Sequence, residues 1–190
     1  MTRESDSSRL NPFTQMLKDA FESMMRQAYF CLPGKVLAFD SETQQAQVQC
    51  GIQLIVNGEP QTIAPISGVP VCFPGNGSFH FFHEVTAGTE GLIHFSQRAI
   101  DDWLERGGPV APTDRRLLSV DDAFFMPGYR SKPGAIPGFI NSGVGMASSD
   151  GATFVQIDGD EITAEAGGSF VTVGPTGVVA KGPLVELNPL

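Results

Sequence analysis

Between Asn11 and Ala28 the apolar residues recur at intervals of three and four. Phe13, Met16, Leu17, Ala20, Phe21, Met24, Met25 and Ala28 alternate with Lys18, Asp19, Glu22 and Arg26. This is the period of an amphipathic helix. Asn11 followed by Pro12 supplies its start, because the Asn side chain can accept from a free amide while Pro sits where a missing N–H costs nothing. The pair Pro33-Gly34 is expected to end it. Two settings suit such a stripe: packing on its own domain or in a trimer interface, and docking onto a larger assembly.

From Gly34 the period shortens to that of β structure. Apolar segments run over residues 35–39, 46–55, 62–73, 78–85 and 91–95, separated by turn signals such as Asp40-Ser41, Asn57-Gly58 and Gly75-Asn76-Gly77. Five strands in this span fit a small closed barrel of the OB type. Ala99, Ile100, Trp103 and Leu104 then mark one face of a short helix, with Gly107-Gly108 as its stop.

A third pattern fills the C-terminal part. Gly143, Gly151, Gly159, Gly167, Pro175 and Pro183 stand at every eighth position. Counting octads from Phe139 puts Met146, Phe154, Ile162, Phe170 and Val178 in the eighth slot, with Val155, Val171 and Val179 among the residues of the first. Each octad reads as one short strand closed by a corner where Gly or Pro supplies the backbone angle. One octad buries too little alone, so its apolar slots need partners. Three intertwined chains around a common axis meet that need, with Met146, Phe154, Val155, Ile162, Phe170, Val171, Val178 and Val179 expected in the trimer core. An antiparallel meander or sandwich is the other reading of regularly spaced turns. The chain thus divides into a polar N-terminus with helix (1–33), a barrel with its short helix (34–108), a connection (109–138) and the octads (139–190).

Composition narrows the functions open to this layout. Lys and Arg number 12 against 21 Asp and Glu, a formal charge of -9. Such a chain repels the phosphates of nucleic acids and anionic lipids, and a basic groove for single strands is not in the sequence. Gly (22) and Pro (14) are abundant while charged residues make up only 17%, which suits turn-rich β structure. Cys31, Cys50 and Cys72 are odd in number and contain no Cys-x-x-Cys pair; they read as buried thiols made in a reducing compartment. The polar stretch Met1 to Leu10 does not read as a signal peptide, so synthesis in a cytoplasm is expected.

Candidate chemistry is sparse. His80 and His83, three apart on an expected strand, would point to opposite faces; with His94 and Cys72 they make a weak zinc set, and ordinary barrel histidines are the plainer reading. Asp101-Asp102, Asp121-Asp122 and the pair Asp158 and Asp160 offer carboxylates with no base, nucleophile or glycine cradle beside them, and read as solvated turns. No P-loop, Gly-x-Ser-x-Gly or His-Glu-x-x-His occurs. Neither catalysis nor a cofactor is expected.

The order of parts, helix, small barrel and Gly/Pro-punctuated octads, resembles the central spike proteins at the baseplate of contractile-tailed bacteriophages and related contractile injection systems. Two segments carry the likeness. Residues 96–108, with Arg98, Ile100, Asp101, Trp103, Leu104, Gly107 and Gly108, resemble an Arg-x-Ile-Asp-x-Trp-Leu-x-x-Gly-Gly stretch. Residues 115–128, from Arg115-Arg116 through Asp121-Asp122 to Pro127-Gly128, resemble the passage from barrel to shaft.

This resemblance implies a mainly β fold: an N-terminal helix, an OB-type barrel and a C-terminal intertwined trimeric β-helix shaft. It implies a homotrimer in the virion baseplate, whose barrels form a collar on the tail hub protein and whose octads form a needle driven through the bacterial envelope. Many such proteins end in a His-x-His pair that gathers an iron ion, but this chain ends Leu187-Asn188-Pro189-Leu190. Its tip is instead expected to close by packing of Leu184, Val185, Leu187 and Leu190 or by a separate tip protein. The competing function is an OB-type binding module for carbohydrate or single-stranded nucleic acid.

Overall fold

The computed structural model describes residues 11–185 and is mainly β, with few helices. The chain divides into two compact units, one ending at Ser131 and the next beginning at Lys132.

The first unit opens with α1 (Pro12–Gln27), capped where Asn11 accepts from the Phe13 amide at 3.0 Å. Strands β1 (Cys31–Asp40), β2 (Gln45–Cys50), β3 (Leu54–Val56), β4 (Glu59–Gln61), β5 (Ile66–Pro70), β6 (Glu90–Phe95) and β7 (Ala123–Pro127) follow, with α2 (Asp101–Arg106) between the last two. Five strands form one antiparallel sheet in the order β5-β2-β1-β6-β7, while β3 and β4 make a separate hairpin. The sheet curls into a half-barrel. Register shifts between Val36 and Ala38 and between Ala46 and Val48 bend it, as bulges do. Just beyond β5, Val71 forms a parallel bridge with Phe125 of β7, and the Cys72 amide donates to the Phe125 carbonyl at 2.8 Å.

Alternation along these strands sends one set of side chains inward. Val36, Val48, Val69, Ile93 and Phe125 are essentially wholly buried, each contributing about 1.5–3 kcal/mol by removal from water. Gly34 and Gly91 face each other across β1 and β6. A Cβ on Gly91 would lie 2.6 Å from Phe125 Cζ, and one on Gly34 would lie 2.5 Å from Ile93 Cδ1, so the glycines make room for the two largest core groups.

Several sequence expectations change here. The helix stops at Gln27, where Ala28 turns extended, and Pro33-Gly34 lies inside β1. Tyr29 and Phe30 are already tied to the fold, the first through its amide to Leu118 O and the second through its carbonyl to Phe95 N. Residues 78–85 form no strand. Asn76 Oδ1 accepts from the Ser78 and Phe79 amides and turns the segment into a loop. The fifth strand of the sheet is β7, taken from the stretch read as a connection; Ala123 and Phe125 are its inward residues. Of the three free cysteines Cys50 is buried, whereas Cys31 and Cys72 are exposed.

The second unit contains β8 (Val144–Ala147), β9 (Phe154–Asp158), β10 (Glu161–Ala166), β11 (Ser169–Gly174) and β12 (Gly177–Lys181). They form one antiparallel sheet in sequential order, an in-chain meander. Asp158 pairs with Glu161, Ala166 with Ser169 and Gly174 with Gly177, so each of these turns has two central residues. Six-residue strands β10 and β11 with two-residue turns account for the period of eight.

Candidate functional site

Four of the six octad punctuation residues stand in chain reversals, and the other two flank the sheet. Gly143 precedes β8, Gly151 lies in the β8–β9 loop, Gly159 and Gly167 open two-residue turns, Pro175 opens the next and Pro183 follows β12. Gly143, Gly151, Gly159 and Gly167 all have positive φ, between 57° and 72°. Gly167 and Gly168 are both positive, at 57° and 80°, the two-residue pattern whose twist matches that of the flanking strands. In the longer β8–β9 loop Asp150 accepts from Ser148 Oγ at 2.5 Å and from the Ala152 amide at 3.0 Å. The Ser148 hydroxyl, with that amide, holds the Asp150 carboxyl below its usual range.

Pairing decides which side chains share a face. Ile162 lies opposite Ile157 and Val173, Ala164 opposite Val155 and Val171, Val178 opposite Val173, and Met146 opposite Val155. The structure therefore brings together Met146, Val155, Ile162, Val171 and Val178 of the expected core. It adds Val144, Ile157 and Val173, which the octad slots did not single out. Phe154, Phe170 and Val179 fall on the opposite face, because neighbouring residues of a strand point to opposite sides. Glu165 lies between Phe154 and Phe170 there, and Thr172 pairs with Thr163 and Val179.

The shared face is apolar and open. Its eight large residues retain between 43% and 68% of their exposure, and among the described residues β8 and β12 are unpaired edges. Toward the chain reversals at Ser148 and Ser169 the sheet forms a groove of about 690 Å³ lined by residues including Val155, Val171, Phe154, Phe170, Leu184 and Val185. Of the expected tip residues, Leu184 and Val185 are exposed, and Leu187 and Leu190 lie outside the described residues.

The polar residues do other things. Asp122 is wholly buried, not a solvated turn; it accepts from the Ile100 amide at 3.0 Å and from Arg116. Arg116 also meets Asp101 and Asp114, and its pKa is raised, first by the hydrogen bond to Asp122. Asp102 accepts from the Thr113 amide at 2.7 Å, which holds its carboxyl below the usual range. No sequence spacing marked Arg116 as the hub of this cluster. His80 sits in the loop opposite Gly75, His83 contacts the Glu84 carbonyl through Nδ1, and His94 Nδ1 lies 3.8 Å from Cys31 Sγ. Among the described residues no group of three or more His, Cys, Asp or Glu stands close enough to hold a metal, and no helix is long and apolar enough to cross a membrane.

The half-barrel falls within the part of the chain that has known relatives. Residues 32–128, just over half of the 190, match the family described as phage protein Gp138 N-terminal domain, and the chain belongs to that family. No curated protein matches it.

Proposed function

We propose that this phage protein is the non-catalytic central spike of a contractile tail baseplate, a homotrimer that joins the tail hub and pierces the bacterial envelope. The observation that carries this reading is the open apolar face of the octad sheet. Eight large side chains on one face, left half-exposed in a single chain, form a patch of the kind that marks an association surface. Three copies around one axis cover it and pair or shield the β8 and β12 edges. A prism built this way resists bending, because many backbone hydrogen bonds must break together.

In this reading the first unit is an OB-type collar on the hub, and three copies of the second, each keeping its own meander, make a β shaft whose tip is closed by its own apolar residues or a separate tip protein. It needs no cofactor and works in the virion. Family membership supports the phage context. The test is sedimentation equilibrium of the full chain together with gold-labelled antibody on intact virions. A mass three times 20.3 kDa and label at the tail end are expected; a folded monomer, or label elsewhere, overturns the reading.

One observation favours a carbohydrate-binding module instead. A groove of about 570 Å³ runs along the first unit between Lys35, Glu90 and Tyr129 to Ser131. It combines an exposed aromatic ring with both signs of charge, which suits a sugar. Saturation-transfer NMR with envelope oligosaccharides, lost in Tyr129→Ala, would support that module.

A further inference from the structure

A threefold ring is closed by a heterologous contact, in which each protomer offers two different surfaces. Among the described residues, the first unit carries two such surfaces that nothing covers. On α1, Phe13, Met16, Leu17, Phe21, Met24 and Met25 keep from 44% to 70% of their exposure. On the loop after β5, Phe79, Phe81 and Phe82 keep from 71% to 81%.

The aromatic loop is built, not loose. Asn76 accepts two amides, its own amide donates to Phe79 O at 2.6 Å, and the Phe81 amide donates to Pro74 O at 2.7 Å. Gly75 bridges His80, and a Cβ there would lie 2.6 Å from His80 Cα, so the turn requires glycine. The rings are thus presented outward with little ordering left to do on contact. The helix has the matching chemistry. Its three methionines adapt to irregular shapes and favour aromatic edges.

We infer that α1 of one protomer covers Phe79, Phe81 and Phe82 of the next, so that the collar is a ring clasped by its own helices. This rests on the trimeric reading above. A bundle of three α1 helices is the competing arrangement, since Leu17, Phe21, Met24 and Ala28 follow heptad spacing, but it would leave Phe79, Phe81 and Phe82 uncovered. A lipid surface is a poorer fit, because Lys18, Asp19, Glu22 and Arg26 sum to zero charge, and Lys18 and Arg26 already pair with Glu22. The β3–β4 hairpin is a weaker candidate, with only Ile52 and Ile55 more than half exposed in its neighbourhood.

Photocrosslinking of the full chain tests the clasp. Light chains carrying p-benzoylphenylalanine in place of Phe81 are co-assembled with heavy-isotope chains, and the linked peptides are mapped by mass spectrometry. Light loop joined to heavy α1 is expected. Trimers whose crosslinks stay within one chain, fall on the β3–β4 hairpin or reach only a foreign protein overturn the clasp while leaving the spike reading intact. A monomeric mass removes both. In Phe81→Ser/Phe82→Ser trimers, amide exchange across α1 should be about tenfold faster than in the parent; unchanged exchange overturns the clasp.

Discussion

Arg116 grips the buried Asp122 with two nitrogens, Nε to Oδ2 at 2.8 Å and Nη2 to Oδ1 at 2.6 Å. Asp122 stands immediately before β7, and the same carboxylate accepts the Ile100 amide just ahead of α2. One ion pair therefore ties α2, the strand β7 and the segment between them to a single point.

Removing only the arginine leaves a carboxylate out of water with one amide as partner. Arg116→Met should lower stability by about 3–5 kcal/mol. Arg116→Met/Asp122→Leu should recover much of that, less about 1–3 kcal/mol for the stranded Ile100 amide. Urea unfolding followed by tryptophan fluorescence reads both, since Trp103 packs edge-on against Phe124 at 5.9 Å. A double variant no more stable than the single one contradicts this account.

A second tie shows in acid. Glu90 accepts from the Ser131 amide at 2.7 Å and the Ser131 hydroxyl at 2.8 Å, and the amide first, then the hydroxyl, lowers its pKa from 4.5. A carboxyl with a depressed folded pKa adds stability that is complete above its unfolded value and lost as pH falls through the folded one. Stability should thus decline below about pH 4.5. In Ser131→Ala, which removes the hydroxyl and keeps the amide, the Glu90 titration by carbon-detected NMR should move part of the way toward the ordinary glutamate value; an unmoved midpoint would leave the hydroxyl no share in the depression.

Some of this architecture is written plainly in the sequence. The stripe from Phe13 to Met25 declares α1, and the octad period announces reversals because glycine adopts the positive φ at Gly159 and Gly167 at least cost. Other parts are hidden for physical reasons. Residues 78–85 are rich in phenylalanine and look like a strand, yet two hydrogen bonds to Asn76 decide for a loop. β7 is only five residues long and its inward pair, Ala123 and Phe125, is too short a pattern to stand out. The eight-residue period also masks the two-residue one, so Phe154 and Val155 look equivalent while facing opposite ways. Arg116 finds Asp122 through tertiary structure that no spacing encodes.

The turn at Gly167-Gly168 gives a backbone test. Both residues are left-handed, so a branched side chain at the first is strained and an asparagine much less so. Gly167→Val should cost about 1–2 kcal/mol and Gly167→Asn clearly less. The denaturation midpoints of the two variants decide; equal midpoints would mean that this turn does not hold the meander.

The faces of the octad sheet give the sharpest test of assembly. Val171 and Ile162 lie on the open apolar face, whereas Thr172 and Glu161 lie on the other. If three chains close over the apolar face, an aspartate there is buried in triplicate near a common axis with no cation to meet it. Each buried charge costs several kcal/mol, and three together rival a typical folding free energy. Ile162→Asp and Val171→Asp should abolish trimer formation, while Thr172→Ala and Glu161→Ala should assemble with unchanged mass and protease resistance. Phe170→Asp separates the two faces directly, since Phe170 adjoins Val171 in sequence but points away from it. It should assemble if only the Val171 face is enclosed. Trimers from Val171→Asp with none from Phe170→Asp would mean that the chains close over the face carrying Phe154 and Phe170 instead.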